Sequence, residues 1–310
     1  MIVTKMKDFL KPDKEWKRFG ISSKEDFINK FVTHGKFHSK VPEVIKKDFE
    51  IVERLQFYSY YEYELLEEAF AKATKIFEAS VDLRIRILGL PNKNGFENLN
   101  SKIKKLEKHS SPELFQAWDE VRKLRNIFAH HLAGRSLAPF TINIFKAIVN
   151  VINSVFLDVE EIFGRENSLK KIKGIFFEKG LFLMKVDENF TLISSCIPHG
   201  IALNNGIEQS SWCFDLVYDK IVIEKFEDFA HPVIFTLENV TMNDNILKAR
   251  LVDLDTEVEI FQTELPEAIT RHEIYCEAFL KANPKIKEEY YDMLHGRIAI
   301  KVSQLVYDAW

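Results

Sequence analysis

The spacing of apolar residues predicts helices through most of the first half of the chain. From Val44 to about Leu88 neither glycine nor proline occurs, and apolar side chains recur every three or four positions. These side chains are Ile51, Leu55, Tyr58, Leu65, Phe70, Ile76 and Phe77. The pattern predicts almost continuous helix, which the Pro- and Gly-containing segment 90–95 then ends.

Capping signals predict four more helices in this half. A serine pair, a Ser-Pro-Glu sequence and single prolines are typical of helix starts. The four helices are expected to start near Ser22, Leu99, Ser111 and Pro139. The second is expected to end near Leu106, the third before Gly134 and the last near Ile162. Since short connections join the helices, the sequence predicts an antiparallel bundle over residues 41–166, after an N-terminal extension at 1–40.

The hydrophobic pattern changes from helix to strand near Gly164. Between about 172 and 264, short runs rich in Val, Ile, Phe and Thr alternate with turn sequences. Helical spacing returns after Pro266 and is broken at Pro284. The sequence therefore predicts an α+β multidomain fold, in which a β-rich module closed by two helices occupies residues 167–310.

Composition argues against several classes of protein. The 310-residue chain is 46% hydrophobic, carries a net charge of −4 and contains three cysteines. These values disfavour a disordered chain, a dedicated nucleic-acid binder, a disulfide framework and a zinc site. No phosphate-binding glycine motif, signal sequence or apolar run of roughly 18 residues occurs. We therefore expect a cytoplasmic protein with no cofactor and no membrane contact.

The helix that starts near Ser111 carries polar residues away from its apolar face. On a helical wheel the apolar face is formed by Leu114, Trp118, Val121, Leu124 and Phe128. Asn126 and His130 lie together, roughly 120° and 160° from Leu114. Arg125 falls at the apolar face, but its long stem can carry the guanidinium outward. The pattern predicts that Asn126 and His130 face solvent or a partner subunit.

A resemblance to the HEPN family rests on the segment 121–130, Val-Arg-Lys-Leu-Arg-Asn-Ile-Phe-Ala-His. The family signature is an arginine followed four to six residues later by a histidine, commonly as Arg-Asn-x-x-x-His. The preceding order matches as well: a long acidic helix, a linker, a short basic helix and then the signature helix. The resemblance covers residues 43–165 and implies a HEPN helical bundle.

The resemblance implies a metal-independent endoribonuclease. His130 would act as general acid or base on the ribose 2′-hydroxyl or the leaving oxygen, since its ordinary pKa of about 6.5 makes both protonation states available. Arg125 would clamp the scissile phosphate, and Asn126 would orient the histidine or the backbone. His131 also satisfies the spacing from Arg125, so the sequence leaves open which histidine serves.

Further residues of the bundle are candidates for the site or for RNA contact. Some catalytic HEPN proteins carry Glu-x-x-x-Lys on the preceding long helix, which Glu68 and Lys72 match. A basic run could follow an RNA backbone or form a solvated helix face: Lys102, Lys104, Lys105 and Lys108. Aromatic residues could stack on bases or pack within the bundle or a dimer: Phe57, Tyr58, Tyr60, Tyr61 and Tyr63.

The remaining histidines are expected to have structural roles. His34 and His38 are at helical spacing without an acidic partner in register, and His199 precedes Gly200 in a turn-like stretch. No set of residues has the spacing of a metal site, so none is expected.

Two functions from different classes follow. The first is a HEPN ribonuclease that cleaves cellular RNA, with the β-rich module regulating it or sensing a trigger; family habit places such fusions among toxins and antiviral defence effectors. Its partners would be RNA, a second copy joined through the bundle, and an antitoxin or trigger protein. The second is a non-catalytic dimerisation or interaction protein that binds a partner through the β-rich module. In that interpretation Arg125 pairs with an acid, Glu67 or Glu68, and the histidine caps helix carbonyls.

Overall fold

The chain forms an α+β structure that divides into two units. The computed structural model describes residues 10–91, 97–131, 138–175, 180–218, 222–243 and 245–310, and the side chains of all these except 127–131, 138–142 and 174–175. Unit 1 comprises Met1–Phe163 together with Trp310, and unit 2 comprises Gly164–Ala309. A helical region is followed by a closed six-stranded barrel and two further helices. The predicted α+β class is confirmed.

Among the described residues, seven α-helices precede the barrel. They are α1 (Lys24–Phe31), α2 (Glu43–Tyr58), α3 (Leu65–Ile87), α4 (Leu99–Leu106), α5 (Pro112–His131), α6 (Ala138–Val155) and α7 (Val159–Ile175). The predicted capping signals are used: the Ser23 hydroxyl accepts from the Asp26 amide, and the Ser111 hydroxyl accepts from the Leu114 amide. Local sequence therefore sets where α1 and α5 start. The single helix predicted from Pro139 to about Ile162 is wrong, because residues 156–158 separate α6 from α7, and α7 runs past Gly164, where the sequence predicts a change to strand.

Helix α3 lies at the centre of unit 1 and contacts α2, α4, α5 and α6. Its buried apolar side chains spread over roughly half of the helix circumference: Leu66, Ala69, Phe70, Ala73, Ile76, Phe77, Val81 and Ile85. A helix with neighbours on several sides needs this distribution, because a single apolar stripe can bury only one face. Helix α3 thus supplies the frame against which α4 and α5 are placed.

The almost continuous helix predicted from Val44 to about Leu88 is interrupted once, because residues 59–64 separate α2 from α3. The backbone groups of this break find partners far away in the sequence. The Ser59 carbonyl accepts from the Trp16 indole at 2.7 Å, and the Tyr60 carbonyl accepts from the Asp13 amide at 2.8 Å. These contacts stabilise a non-helical backbone that local propensity alone would not select.

The segment before α1 belongs to the core of unit 1. Trp16, in a 3-10 turn at Lys14–Phe19, is 1% exposed. Its ring packs edge-on against Phe27 and Phe31 of α1, with centroids 4.6 and 4.8 Å away, and lies 5.1 Å from the Tyr63 ring. Residues 10–40 therefore pack on the helices that follow them.

The barrel of unit 2 is closed by six antiparallel strands in sequential order. The strands are β1 (Phe182–Val186), β2 (Asn189–Asn204), β3 (Ile207–Leu216), β4 (Val233–Asn243), β5 (Ile246–Leu251) and β6 (Thr256–Gln262). Pairing of β1 with β6 completes the closure, with Phe182 opposite Gln262 and Val186 opposite Val258. Closure leaves no unpaired edge, which a short open sheet would expose.

The barrel interior is filled with apolar side chains. Its largest members are Phe182, Trp212 and Phe214, each at most 2% exposed, and the Trp212 indole donates to the Ser210 hydroxyl at 2.8 Å. Strand alternation places the neighbouring residues of β3 on the outer surface. The interior is thus a packed core, and the outer surface is where the barrel can present polar groups.

Two helices follow the barrel, as the sequence predicts: α8 (Pro266–Lys281) and α9 (Pro284–Asp308). Helix α9 contacts β2, β3 and β4, and it packs closely on β2 at Gly200, where a Cβ atom would lie 2.7 Å from Cγ1 of Val302. A second apolar cluster forms between the outer surface of the barrel and the two helices. Within the described part of the chain, no helix has the length and apolarity to cross a membrane.

Candidate functional site

An acid from a neighbouring helix holds the signature arginine at the surface. Nη2 of Arg125 on α5 lies 2.9 Å from Oε2 of Glu78 on α3. The two side chains are 37% and 25% exposed, so solvent and ligands can reach the guanidinium. The expectation that Glu67 or Glu68 would pair with Arg125 is wrong. Helix α3 presents Glu78 at the level of Arg125, about 15 Å along the axis from Glu68.

Glu78 also belongs to a network that joins three helices. Nζ of Lys102 on α4 lies 3.4 Å from Oε1 of Glu78 and 2.9 Å from Oδ2 of Asp82. Burial lowers the pKa of Lys102, but its bonds to Asp82 and Glu78 outweigh this effect and raise the pKa above its ordinary value. The network contains two acids and two bases, so their charges balance and each group has an opposite partner.

Asn126 and the two candidate histidines lie near the C-terminal end of α5. Asn126 is exposed, in the direction that the helical wheel predicts. Helix α5 continues to His131, so His130 occupies the position one turn beyond Asn126, on the same face of the helix. The side chains of His130 and His131 lie outside the described residues.

The structure separates Glu68 and Lys72 from Arg125. Glu68 is exposed, and Nζ of Lys72 lies 3.5 Å from Oδ1 of Asp48 on α2. On α3 the acid that contacts Arg125 is Glu78, ten positions after Glu68. Sequence analysis missed Glu78, because nothing in the helical pattern distinguishes it from the other glutamates of α3.

The basic run on α4 is only partly available for RNA. Lys102 is bound in the network with Glu78 and Asp82, and Nζ of Lys105 lies 2.5 Å from Oε2 of Glu97. Lys104 and Lys108 are exposed. An anionic ligand near α4 would therefore meet two solvated ammonium groups, and the other two would first have to leave a carboxylate.

The tyrosine-rich segment is largely used in packing. Tyr60 is 8% exposed, and Tyr63 lies against Trp16. Nζ of Lys24 lies 4.3 Å from the centroid of the Phe57 ring. Tyr58 is 53% exposed and belongs to an exposed row with Val44 and Ile51 on α2. Much of the aromatic surface expected to serve a dimer is thus covered by residues 10–40, and a smaller apolar row remains.

The other histidines have surroundings that differ from those the sequence predicts. His34 does have an acidic partner: its Nδ1 lies 3.2 Å from Oε2 of Glu53, which α2 brings from another element. His199 lies within strand β2 and not in a turn, and it is the extra residue of a bulge in that strand. His38 bonds the backbone of Asn153, with Nε2 2.9 Å from the carbonyl oxygen. Among the described residues, no group of three or more His, Cys, Asp or Glu could hold a metal ion.

Comparison with known proteins gave no match. No protein-family model matches the chain, and searches of curated proteins and of solved structures found no similar protein. The functional proposal below is therefore based on the sequence resemblance and on the geometry around Arg125.

Proposed function

We propose that this protein is a metal-independent HEPN endoribonuclease whose helical unit cleaves cellular RNA and whose barrel unit regulates it or senses a trigger. The observation that carries the proposal is the Arg125–Glu78 contact at the surface of a helix that runs on through His130. It puts an oriented, accessible guanidinium, an exposed amide and the signature histidine position within two turns of one helix.

Each signature residue has a chemical role in this proposal. The histidine, His130 in preference to His131, takes the proton from the ribose 2′-hydroxyl as its oxygen attacks phosphorus, and a proton is returned to the 5′-oxygen that leaves. The products are a 2′,3′-cyclic phosphate and a 5′-hydroxyl. Arg125 stabilises the charge that develops on the phosphate oxygens, because its fork of N–H groups matches two of them. Asn126 orients the histidine.

Glu78 positions Arg125 in this proposal. A guanidinium on a long side chain loses conformational freedom when it clamps a phosphate, and a partner carboxylate restricts it beforehand. The carboxylate also weakens the positive charge that the phosphate meets. Glu78 therefore serves orientation, and Lys102 offsets part of its charge.

The proposed enzyme is a homodimer through the helical unit, with the two His130 side chains lining a shared cleft. Two-fold pairs are the commonest closed assemblies, and they would place two arginines and two histidines around one phosphate. Val44, Ile51 and Tyr58, at seven-residue spacing on α2, offer exposed apolar surface that a second copy could bury. Light scattering should report twice the mass of one chain, and Ile51→Glu should lower it if this row is buried in the dimer. A monomeric wild-type chain, with and without RNA, would contradict this part of the proposal.

The decisive experiment is cleavage of total RNA in EDTA by the purified protein. We expect fragments with 2′,3′-cyclic phosphate ends, and loss of cleavage in the Arg125→Ala and His130→Ala variants. Expression of the wild type in a bacterial host should be toxic, and both substitutions should relieve the toxicity. Intact RNA with every trigger tried, from a folded wild-type protein, would overturn the proposal.

The same ion pair favours one alternative, a non-catalytic interaction protein. Arg125, Glu78 and Lys102 link α3, α4 and α5, which is what a structural brace would do. In this alternative the helical unit is a dimerisation module and the barrel unit binds a partner. A harmless wild type, together with an Arg125→Ala variant that unfolds, would favour the alternative.

A further inference from the structure

A groove lies on the outer surface of the barrel, within unit 2. Two adjoining cavities of about 450 and 320 Å³ share Ser194, Asp215 and His272 as lining residues. Strands β2 and β3 form one wall, and α8 forms the opposite wall. Together the volumes are in the range of sites that bind small organic ligands.

A bulge brings two serine hydroxyls into the groove. Ile193 pairs with Leu216 and Ser195 pairs with Asp215, so Ser194 is an extra residue in β2. Consecutive residues of a regular strand point to opposite faces, but the bulge lets Ser194 and Ser195 line the same cavity. Bulges commonly aim side chains at functional sites.

Asp215 places a carboxylate beside the Ser195 hydroxyl in this groove. The Ser195 hydroxyl donates to Oδ2 of Asp215, and the Ser194 hydroxyl lies 3.5 Å from the Asp215 carbonyl oxygen. No salt bridge of Asp215 occurs among the described residues; burial lowers the pKa of nearby His199, and the Asp215 charge opposes that shift. Burial chiefly, and the Asp215 charge in addition, raise the pKa of Tyr290, which also lines the groove. A half-buried carboxylate that is hydrogen-bonded to a hydroxyl and has no lysine or arginine in a salt bridge with it is complementary to a positively charged ligand.

The opposite wall is mainly apolar. Ile269, His272, Cys276 and Leu280 form one face of α8 along the groove. Ile269 is 40% exposed and Leu280 is 75% exposed, and the rings of Phe279 and Tyr291 extend the apolar wall. Nε2 of His272 lies 3.3 Å from Sγ of Cys276, and burial raises the pKa of that thiol, so at neutral pH Cys276 is a protonated, weakly polar group. This wall suits a hydrocarbon or aromatic body.

We propose that the groove binds a ligand that carries a primary ammonium group on an apolar body. The ammonium group has three N–H donors, which meet the Asp215 carboxylate and the serine hydroxyl oxygens. The body lies along α8 between Ile269 and Leu280. The proposal gives a ligand chemistry to the sensing role of the barrel unit, but it depends on unit 2 alone.

Calorimetry on the full chain without RNA tests the proposal directly. The probes are 2-phenylethylamine, its neutral isostere 2-phenylethanol and the anion phenylacetate. We expect 2-phenylethylamine to bind. The alcohol and the carboxylate should bind at least about tenfold more weakly, because they lack the charge-assisted hydrogen bonds. A peptide with N-terminal phenylalanine, compared with its acetylated form, distinguishes a peptide N-terminus from a free amine as the source of the ammonium group.

Variants identify the groove as the binding site. Asp215→Asn should weaken amine binding by about tenfold or more. Ser195→Ala keeps the Asp215 carboxylate and should weaken amine binding by a smaller factor. This second variant tests the site if Asp215→Asn does not fold. Glu257→Gln removes an exposed acid elsewhere on the barrel and should leave binding unchanged. Equal binding of the amine and the alcohol, no binding of any amine, or unchanged binding by folded Asp215→Asn would overturn the proposal. Since RNA cleavage is not measured, failure here is distinct from failure of the ribonuclease proposal.

Discussion

Nη2 of Arg125 on α5 lies 2.9 Å from Oε2 of Glu78 on α3. Exposed Asn126 follows Arg125 on α5, and the signature histidine position lies five residues beyond Arg125 on the same helix. The contact fits two explanations for the arginine. A clamp for phosphate and a brace between helices require the same pair, but they predict different results when the pair is broken.

Arg125→Ala should abolish RNA cleavage with little loss of stability. Loss of a transition-state donor typically lowers the rate by about 100-fold or more. The pair is partly exposed, so its removal should lower the free energy of unfolding by about 1 kcal/mol or less. The measurements are cleavage rate and urea unfolding on the same preparations.

Arg122→Ala is the matched control for this prediction. Arg122 lies on α5 one turn before Arg125, and its Nε donates to Oδ1 of Asp119 at 2.6 Å. Its removal should change stability by a similar small amount and leave cleavage intact. Equal loss of cleavage in both variants would show that the effect comes from helix α5 as a whole and not from Arg125.

Trp16 should make a large contribution to the stability of unit 1. Trp16→Ala removes a fully buried ring and should lower the free energy of unfolding by about 3–5 kcal/mol. Trp16→Phe keeps most of the packing but leaves the Ser59 carbonyl without its indole donor. This variant should lower the free energy of unfolding by about 1–3 kcal/mol. Thermal unfolding of both variants checks the order. Leu10→Ala, at a side chain that is 73% exposed, is the control and should have little effect.

Gly200 and Val302 should behave as a coupled pair in unit 2. Gly200→Ala would put a methyl group 2.7 Å from Cγ1 of Val302, so we expect a loss of about 1–3 kcal/mol from overpacking. Combining it with Val302→Ala should restore part of that loss, which a double-mutant cycle measures. Gly296→Ala, in α9 with no atom near the added methyl, should instead stabilise by up to about 1 kcal/mol. Additive effects of the Gly200 and Val302 substitutions would contradict the close approach.

Cys213 should make the stability of unit 2 fall at alkaline pH. Burial raises the pKa of its thiol to about 12, and Asp215 adds to the shift. The unfolded thiol ionises near about 8.5, so above that pH the unfolded chain has released a proton that the folded chain still holds. Unfolding therefore becomes more favourable by up to about 1.4 kcal/mol per pH unit between the two pKa values.

A Cys213→Ala variant isolates this contribution. The other titrating groups, including buried Cys196, remain in both proteins and cancel in the comparison. Urea unfolding at pH 7.5 and pH 10 should show a smaller decrease in stability for the variant than for the wild type. Identical decreases would mean that the Cys213 thiol ionises as easily in the folded chain as in the unfolded one.

The sequence by itself determined the kinds of element and several of their starts, but not the ends of α2 at Tyr58 and of α6 at Val155. Helix α4 begins and ends at the predicted Leu99 and Leu106, and prolines mark the starts of α5, α8 and α9. These features depend on caps, prolines and the spacing of apolar side chains over a few residues, all of which are local. The exposure of Asn126 follows from the same periodicity.

Tertiary structure alone decided the break at residues 59–64, the acid that pairs with Arg125 and the closure of the barrel. Trp16 lies 43 residues from the carbonyl it binds, and β1 pairs with β6 across the whole barrel sequence. The groove at Asp215 likewise depends on one extra residue in β2. Helical or strand periodicity carries no information about such partners, because hydrogen bonds and ion pairs between distant residues form only once packing has placed the elements side by side.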